Sequence, residues 1–476
     1  MERLKKSLLY SYGIADMFFV LMVCMEVYYF TMFLTDYAQF SMRTVGVIAG
    51  VTGVLDIACA LLAGLILEKV TLRFGGKYRS WFLVGPLPIV LFFAFQFAKI
   101  GSEPVAASII IVAFVVSHLL WNTVAACGGA MIGRMTKDPG ELTILSTSRG
   151  QGMTASNLLV ALSGPPLIAY FCGITSEHTG MALVVAVYGF LMILGYIYIY
   201  NRTAGMDPYD DLPAQREKKK KGLSVVEIVV LVCRNRPLLM LMVAEVFRNA
   251  IILTSAAMAT YWTKYVVGDA GVMTSFMLVT AVAGIIGTVI ASPVGLRLGK
   301  RHAYWTSLVV AGAAYAASWF FGADKWAYTL QVDLGFFGNL NIAIHAYTMM
   351  FGLGSLFAVI ASCMNTALFN DTVVYGEWKF GKSIHGFTMA LLNVPIKLGV
   401  LIRSGVVVLG LAAIGYVANA DPTPGVVSGI IALMSFSNAA VCILAAAAFF
   451  FGYRIQDSDV VKMQAEISAR AGKAAD

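Results

Sequence analysis

The sequence predicts an all-α integral membrane protein that crosses the bilayer with twelve helices in two halves of six. Three observations carry this: an apolar composition, twelve apolar runs of crossing length, and basic residues gathered on alternate connections. Of 476 residues, 59% are apolar and 13% charged, against roughly 45–50% and about 25% in soluble domains. Mean hydropathy is +0.79. A soluble enzyme is excluded. The seven cysteines stand singly, with no Cys-x-x-Cys pair, so a secreted disulfide scaffold is excluded as well. The net charge of +8 is spread in short pieces between apolar runs, which argues against a nucleic-acid-binding face.

About 20 apolar helical residues cross a bilayer. Spans are expected at 9–35, 44–68, 80–100, 104–133, 147–171, 179–201, 237–266, 271–296, 302–322, 341–369, 384–416 and 426–452. The first is too long for a cleaved signal peptide and lacks a small-residue cleavage site, so it stays as a helix. A polar linker from Asn201 to Leu223, with Asp207, Asp210, Asp211 and the run Lys218–Lys221, divides six spans from six. The basic run reads as a solvated segment, with lipid binding as the lesser reading. Residues 224–235 are expected to form a short surface helix. The domains are then residues 1–201, the linker 202–236, the second bundle 237–452 and the tail 453–476.

With the N-terminus inside, 26 of the 34 basic residues fall on inner segments, and only Arg43, Lys99, Lys264 and Lys325 fall outside. This asymmetry predicts a multi-pass protein of the cell (inner) membrane with both termini cytoplasmic. Six and six helices about a central loop resemble the major facilitator superfamily, whose similar halves rock about a midplane site. The repeat shows coarsely: Thr71–Arg79 after the second span and Gly295–His302 after the eighth are both short, basic and glycine-containing. The stretch Gly322–Ile342, with Trp326, Tyr328, Phe336 and Phe337, is a long outer insertion. It reads as a packed surface lid or as a capture or docking element.

Four basic residues, Arg149, Arg248, Lys397 and Arg403, fall inside spans, as do Asp16, Glu26, Asp56 and Glu245. Each ionisable group costs at least ~2.5–3.5 kcal/mol at the bilayer centre, so the eight require a polar interior or mutual pairing. Glu245 and Arg248 are three apart and share a helix face, where they can pair with each other. Ser146, Thr147, Ser148, Arg149, Gln151, Thr154, Ser156 and Asn157 crowd the start of the fifth span, with Gly150 and Gly152 admitting a close neighbour. In the eleventh span Pro395 removes a backbone donor and is expected to kink the helix near Lys397.

The run Asp371-Thr372-Val373-Val374-Tyr375-Gly376-Glu377-Trp378-Lys379-Phe380-Gly381-Lys382, followed by Lys397-Leu398-Gly399, resembles the signature of the glycoside–pentoside–hexuronide:cation symporter family of melibiose permease-like proteins. Tyr12-Gly13, Thr35-Asp36, Asp138-Pro139 through Ser148-Arg149, and Tyr265–Asp269 add to the resemblance, which covers nearly the whole chain. It implies a symporter with solute contacts on helices 1, 4, 5 and 11 and a cation site between helices 2 and 4. Asp56 falls at the family's cation carboxylate, and Arg149 and Lys397 fall at its helix 5 arginine and helix 11 lysine. The departures are Cys59, Ala60 and Ala125 at the cation site, Val20 at the helix 1 aspartate, and Val374 within the signature. Asp16, one turn before Val20, is a displaced replacement candidate.

Cysteine and two alanines supply no carboxylate, so sodium lacks the oxygen ligands it needs. A lone buried carboxylate can instead take and release a proton, because burial disfavours its charged form. The coupling candidates are Asp56, then Glu26 and Glu245, with a proton favoured over sodium. Solute-binding candidates are Arg149, Lys397, Asp16, Asn122 and Arg248. Guanidinium forks suit carboxylate or sulfonate, which favours an anionic or sugar-like solute, with a neutral glycoside as the alternative. No cofactor, catalytic residue or metal site is expected, and the partners are the solute and membrane lipid around a monomer. An uncoupled carrier, or a lipid or lysolipid transporter on the same fold, is the competing reading. The Gly376–Ser383 match to a phosphate loop is coincidental, because the segment joins two spans. His118, His345 and His385 read as packed side chains, and His178 and His302 as loop or span-end residues.

Overall fold

The structure, a computed structural model, describes residues 4–70, 72, 74–136, 138–207, 233–269, 272–322, 327–333, 339–381, 391 and 394–473. The run Lys218–Lys221, residues 224–232 of the expected surface helix, Lys382, Ser383 and His385 lie outside them. The chain separates into two compact units, Met1–Lys220 with Val417–Ala420, and Lys221–Tyr416 with Asp421–Asp476.

In the first unit the order is α1 (Lys6–Ser11), α2 (Ile14–Met32, ending in a π-turn Phe33–Tyr37), α3 (Met42–Lys69), α4 (Arg79–Val84), α5 (Pro86–Phe95), α6 (Glu103–Met135), α7 (Pro139–Ile174) and α8 (Glu177–Arg202). The second unit contains α9 (Arg236–Tyr261, ending in a π-turn Trp262–Val267), α10 (Val272–Leu298), α11 (Lys300–Ser318), β1 (Ala327–Asp333), β2 (Asn339–His345), α12 (Ala346–Phe380), α13 (Val394–Ala413), α14 (Pro424–Gly452) and α15 (Asp457–Lys473).

Ten of these helices are long and apolar enough to cross a membrane. The third and ninth expected spans fall outside that set, for separate reasons. The third is broken into α4 and α5 at Gly85-Pro86, where proline removes a ladder donor. The ninth opens on Lys300-Arg301-His302 and carries Tyr304, Trp305, Thr306, Ser307 and Tyr315, which lower its hydropathy. Residues 341–345, expected as helix, form the end of β2, which pairs antiparallel with β1 from Ala327–His345 to Asp333–Asn339. The period-two sequences Ala-Tyr-Thr-Leu-Gln-Val-Asp and Asn-Leu-Asn-Ile-Ala-Ile-His favour strands there. Over the described residues the eleventh span runs Val394–Ala413, with Pro395 and Lys397 in its first described turn, while residues 384–390, 392 and 393 of the expected span lie outside them. The tail beyond Tyr453 is mostly α15, packed on α12.

The two units repeat one packing scheme. In the first, α2 packs on α7 and α8, α3 on α6, and α5 on α6 and α8; in the second, α9 packs on α13 and α14, α10 on α12, and α11 on α12 and α14. The repeat extends to a turn held by a carboxylate. Asp207, five residues beyond α8 and almost fully buried, accepts from the backbone N–H of Tyr78 (2.7 Å) and Arg79 (3.0 Å) and from Arg134 Nε (3.2 Å). Asp457, five residues beyond α14, accepts from the Lys300 N–H and pairs with Lys300 Nζ, both at 3.3 Å, while Lys300 Nζ also reaches Asp371 at 2.6 Å. Arg79 Nε donates to Tyr200 O in one unit and Arg301 Nε to Tyr453 O in the other. Gly76 (φ +144°) and Gly299 (φ +76°) pass these carboxylates in backbone conformations that suit glycine.

Asp207→Ala leaves two backbone donors and the Arg134 fork without that acceptor. Breaking a buried charged contact costs about 3–5 kcal/mol, whereas the half-exposed Asp457 contact is worth about 0–1 kcal/mol. Melting of the two purified variants is expected to separate them, with Asp207→Ala falling several degrees further than Asp457→Ala.

Candidate functional site

Short residues position the polar groups of the first unit by letting α2, α6 and α7 meet closely. A methyl on Gly152 would overlap the Gly13 carbonyl, so α7 crosses the start of α2 at backbone contact. Three side chains lock the crossing. Ser148 Oγ accepts from the Gly13 N–H and donates to Tyr10 O, each at 3.0 Å, and Ser156 Oγ donates to Met17 O. Tyr12 Oη donates to Gly128 O at 2.8 Å.

Within this crossing Arg149 meets Asp16. Nε donates to Oδ2 at 2.7 Å and Nη2 to Oδ1 at 2.6 Å, a two-pronged pair between α7 and α2. Gly128 and Gly129 of α6 lie against the guanidinium, where any side chain would press on it. The Arg149 side chain is 17% exposed, and Nη1 makes no hydrogen bond among the described residues. The partner of Arg149 stands on another helix, beyond the reach of local spacing, and Asp16, the replacement candidate for the position of Val20, orients the arginine.

Higher in the same unit, Glu26 of α2 meets His118 of α6 at 3.2 Å. The His118 ring stacks on Phe114 at 3.6 Å between centroids, and Nδ1 lies 3.1 Å from Phe114 O. His118 is thus packed as expected, yet it also answers a carboxylate, which its spacing did not show. Asn122 turns its Nδ2 onto His118 O at 2.7 Å, bonding to its own helix. Asp56 is buried on α3, and one turn on Cys59 Sγ faces Val115 O of α6 at 3.6 Å.

The second unit holds the other arginine pair. Arg248 donates from Nε and Nη2 to Glu245 at 2.7–3.0 Å, and Tyr304 Oη of α11 donates to the same carboxylate at 2.7 Å. Self-pairing, one of the two readings of this spacing, is what forms. Tyr304, the third member, stood outside the charged set searched in the sequence. Lys397 is half-buried on α13 and Arg403 is buried on the same helix. The signature stretch ties one end of its unit together: Asp371 holds Lys300, Thr372 O accepts from Asn235 Nδ2 at 2.9 Å, and Trp378 Nε1 donates to Glu466 of α15 at 2.7 Å. No group of three or more metal-ligating side chains occurs among the described residues.

Two like-packed bundles of membrane-crossing helices, with charges paired inside them, define a multi-pass membrane transporter. The chain belongs to the MFS/sugar transport protein family, whose profile matches residues 11–457. It is 25% identical to a provisionally named sulfoquinovose importer of Escherichia coli, over 97% of this chain and 94% of that protein. A glucuronide carrier protein homolog of Escherichia coli is 24% identical over 98% and 97%, and an isoprimeverose transporter of Lactiplantibacillus pentosus is 25% identical over 86% and 81%. The family is one of transporters of small solutes, not of enzymes.

A double-mutant cycle tests the pair. Arg149→Gln and Asp16→Asn each strand a partially buried charge and are expected to cost about 3–5 kcal/mol, while the double variant loses markedly less than their sum. Equal melting of wild type and both single variants would show that the pair does not hold α2 to α7.

Proposed function

We propose that the protein is a secondary active transporter that carries an anionic sugar-like solute, a uronate or sulfonated sugar, across the cell membrane coupled to proton movement in the same direction. The observation that carries this reading is the half-committed guanidinium of Arg149. Asp16 occupies the Nε–Nη2 edge, so the fork is held in one orientation, and Nη1, beside Gly129, makes no hydrogen bond among the described residues on a side chain 17% exposed. A fixed fork with one open edge suits a carboxylate or sulfonate. The names of the sulfoquinovose and glucuronide relatives support an acidic sugar, and the isoprimeverose relative keeps a neutral glycoside as the second reading.

Asp56 is the proposed proton carrier. It is buried 4% exposed in an apolar helix, with Cys59 and Ala60 following where further carboxylates would be needed to hold sodium. Glu26, paired with His118, is the reserve carrier. Both termini are proposed to be cytoplasmic, because the basic residues gather on the connections that follow from that orientation.

Uptake into proteoliposomes, with uronates, sulfonated sugars and neutral glycosides offered in parallel, tests the solute. The acidic sugars are expected to accumulate under an inward proton gradient, and Arg149→Lys, which lacks the planar fork, to raise the half-saturating concentration. Asp56→Asn is expected to lose accumulation and keep solute exchange. Accumulation driven by sodium at equal pH and insensitive to a protonophore overturns the coupling. For orientation, in a cysteine-free background, Ala420→Cys is expected to react with an impermeant thiol reagent added outside and Gln215→Cys to react only after permeabilisation.

A further inference from the structure

At the inner end of the second unit, the first turn of α9, the last turn of α12, the end of α14 and the side of α15 enclose a cavity of about 460 Å³. Its wall carries four cations, Arg236, Lys379, Arg454 and Lys462, and two acids, Asp459 and Glu466. The acids are occupied. Glu466 accepts from Trp378 Nε1 and pairs with Arg470, and Asp459 accepts from the Gln456 N–H at 3.0 Å. The cations are not matched to them. Arg236, Arg454 and Lys462 make no side-chain hydrogen bond or ion pair among the described residues, and Lys379 donates only to the Tyr375 hydroxyl at 2.9 Å. The lining also includes the apolar Trp378, Phe451 and Met463.

We propose that this cavity binds the headgroup of an anionic phospholipid. Its location fits a molecule that resides in the bilayer. Arg236 begins one membrane-crossing helix, Lys379 lies in the last turn of another, and Phe451 is one residue from the end of a third. The opening therefore stands at headgroup level, where unpaired lysines and arginines face phosphate and Phe451, 67% exposed, faces acyl chain. Basic pockets between helix ends are suited to phosphate headgroups, and each cation near an anionic lipid surface contributes about 1 kcal/mol. The helix α15 closes the far wall by burying Val460 and Met463, with Ile455 buried just before it.

The full chain, purified in neutral detergent, is titrated with phosphatidylglycerol, phosphatidylcholine and inorganic phosphate, reading lipid retained by native mass spectrometry and the shift in melting. Phosphatidylglycerol is expected to bind saturably and raise the melting temperature. Arg454→Gln and Lys462→Gln, both exposed positions, are each expected to weaken it about fivefold, and Arg297→Gln, a cation outside the cavity, to leave it unchanged. Equal retention of phosphatidylcholine, the same shift from inorganic phosphate alone, or undiminished phosphatidylglycerol binding by the Arg454 and Lys462 variants overturns the proposal. The readout is independent of solute, so failure of the transport reading leaves it standing, and the reverse also holds.

Discussion

An ionised side chain inside an apolar helix bundle has to be answered within about one side chain's reach, because hydrocarbon offers it no water. Much of the polar interior follows from that constraint. Arg149 is answered by Asp16 from a neighbouring helix, Arg248 by Glu245 from its own helix with Tyr304 adding a donor, and Glu26 by His118. Each answer also fixes a helix crossing. The Asp16–Arg149 contact works only if α7 lies at backbone contact with the start of α2, which is why Gly13 and Gly152 face each other there and Ser148 and Ser156 bond across the gap. Packing and electrostatics at this crossing are one feature.

The same economy appears at the turns between the second and third helices of each unit. Such a turn exposes backbone donors in a short glycine-bearing loop, and a carboxylate five residues past the last helix satisfies them in both units. The sign of the neighbouring charge is exchanged. In the first unit the base Arg134 comes from the fourth helix and the acid Asp207 from beyond the sixth. In the second, the fourth helix supplies the acid Asp371 and the turn supplies the base Lys300. The two units thus share one mechanical solution, since either polarity closes the turn, and Asp371 of the signature belongs to this fastening.

What could be read from the sequence divides along the range of the interactions. Spans set by hydropathy are local properties, so ten of the crossing helices and their order are legible, and the polar linker Asn201–Leu223 marks the halves. The break at Gly85-Pro86 was also written locally, but a window averaging over the run passes across it. Residues 341–345 were taken into a helix because Ile342, Ile344 and Tyr347 extend an apolar run, and only their period-two spacing with Tyr328, Leu330 and Val332 marks a hairpin. The eight charges expected inside spans are buried or half-buried, whereas the buried Asp36, Arg79, Asp207 and Asp371 fall outside that set; of the pairings only Glu245 with Arg248 is legible, being three residues apart. Asp16 and Arg149 are separated by 133 positions, and Asp207 looked like one more acid in a polar linker. Neither relation has a sequence period.

The two arginine pairs show why pairing by itself does not make a solute site. Arg248 and Glu245 share a helix turn and a third partner, and their side chains are 6% and 0% exposed, so their charge is spent holding α9 to α11. Arg149 is held by a single partner on one edge, with Gly128 against the Nε and Nη2 side and Gly129 against Nη1. Both guanidinium groups keep an Nη1 without a hydrogen bond among the described residues; that of Arg248 is sealed in the bundle, whereas the Arg149 side chain is 17% exposed. On the proposed reading, a group with two oxygens in a plane would complete the Arg149 fork without displacing Asp16, and its departure would leave the fork in place.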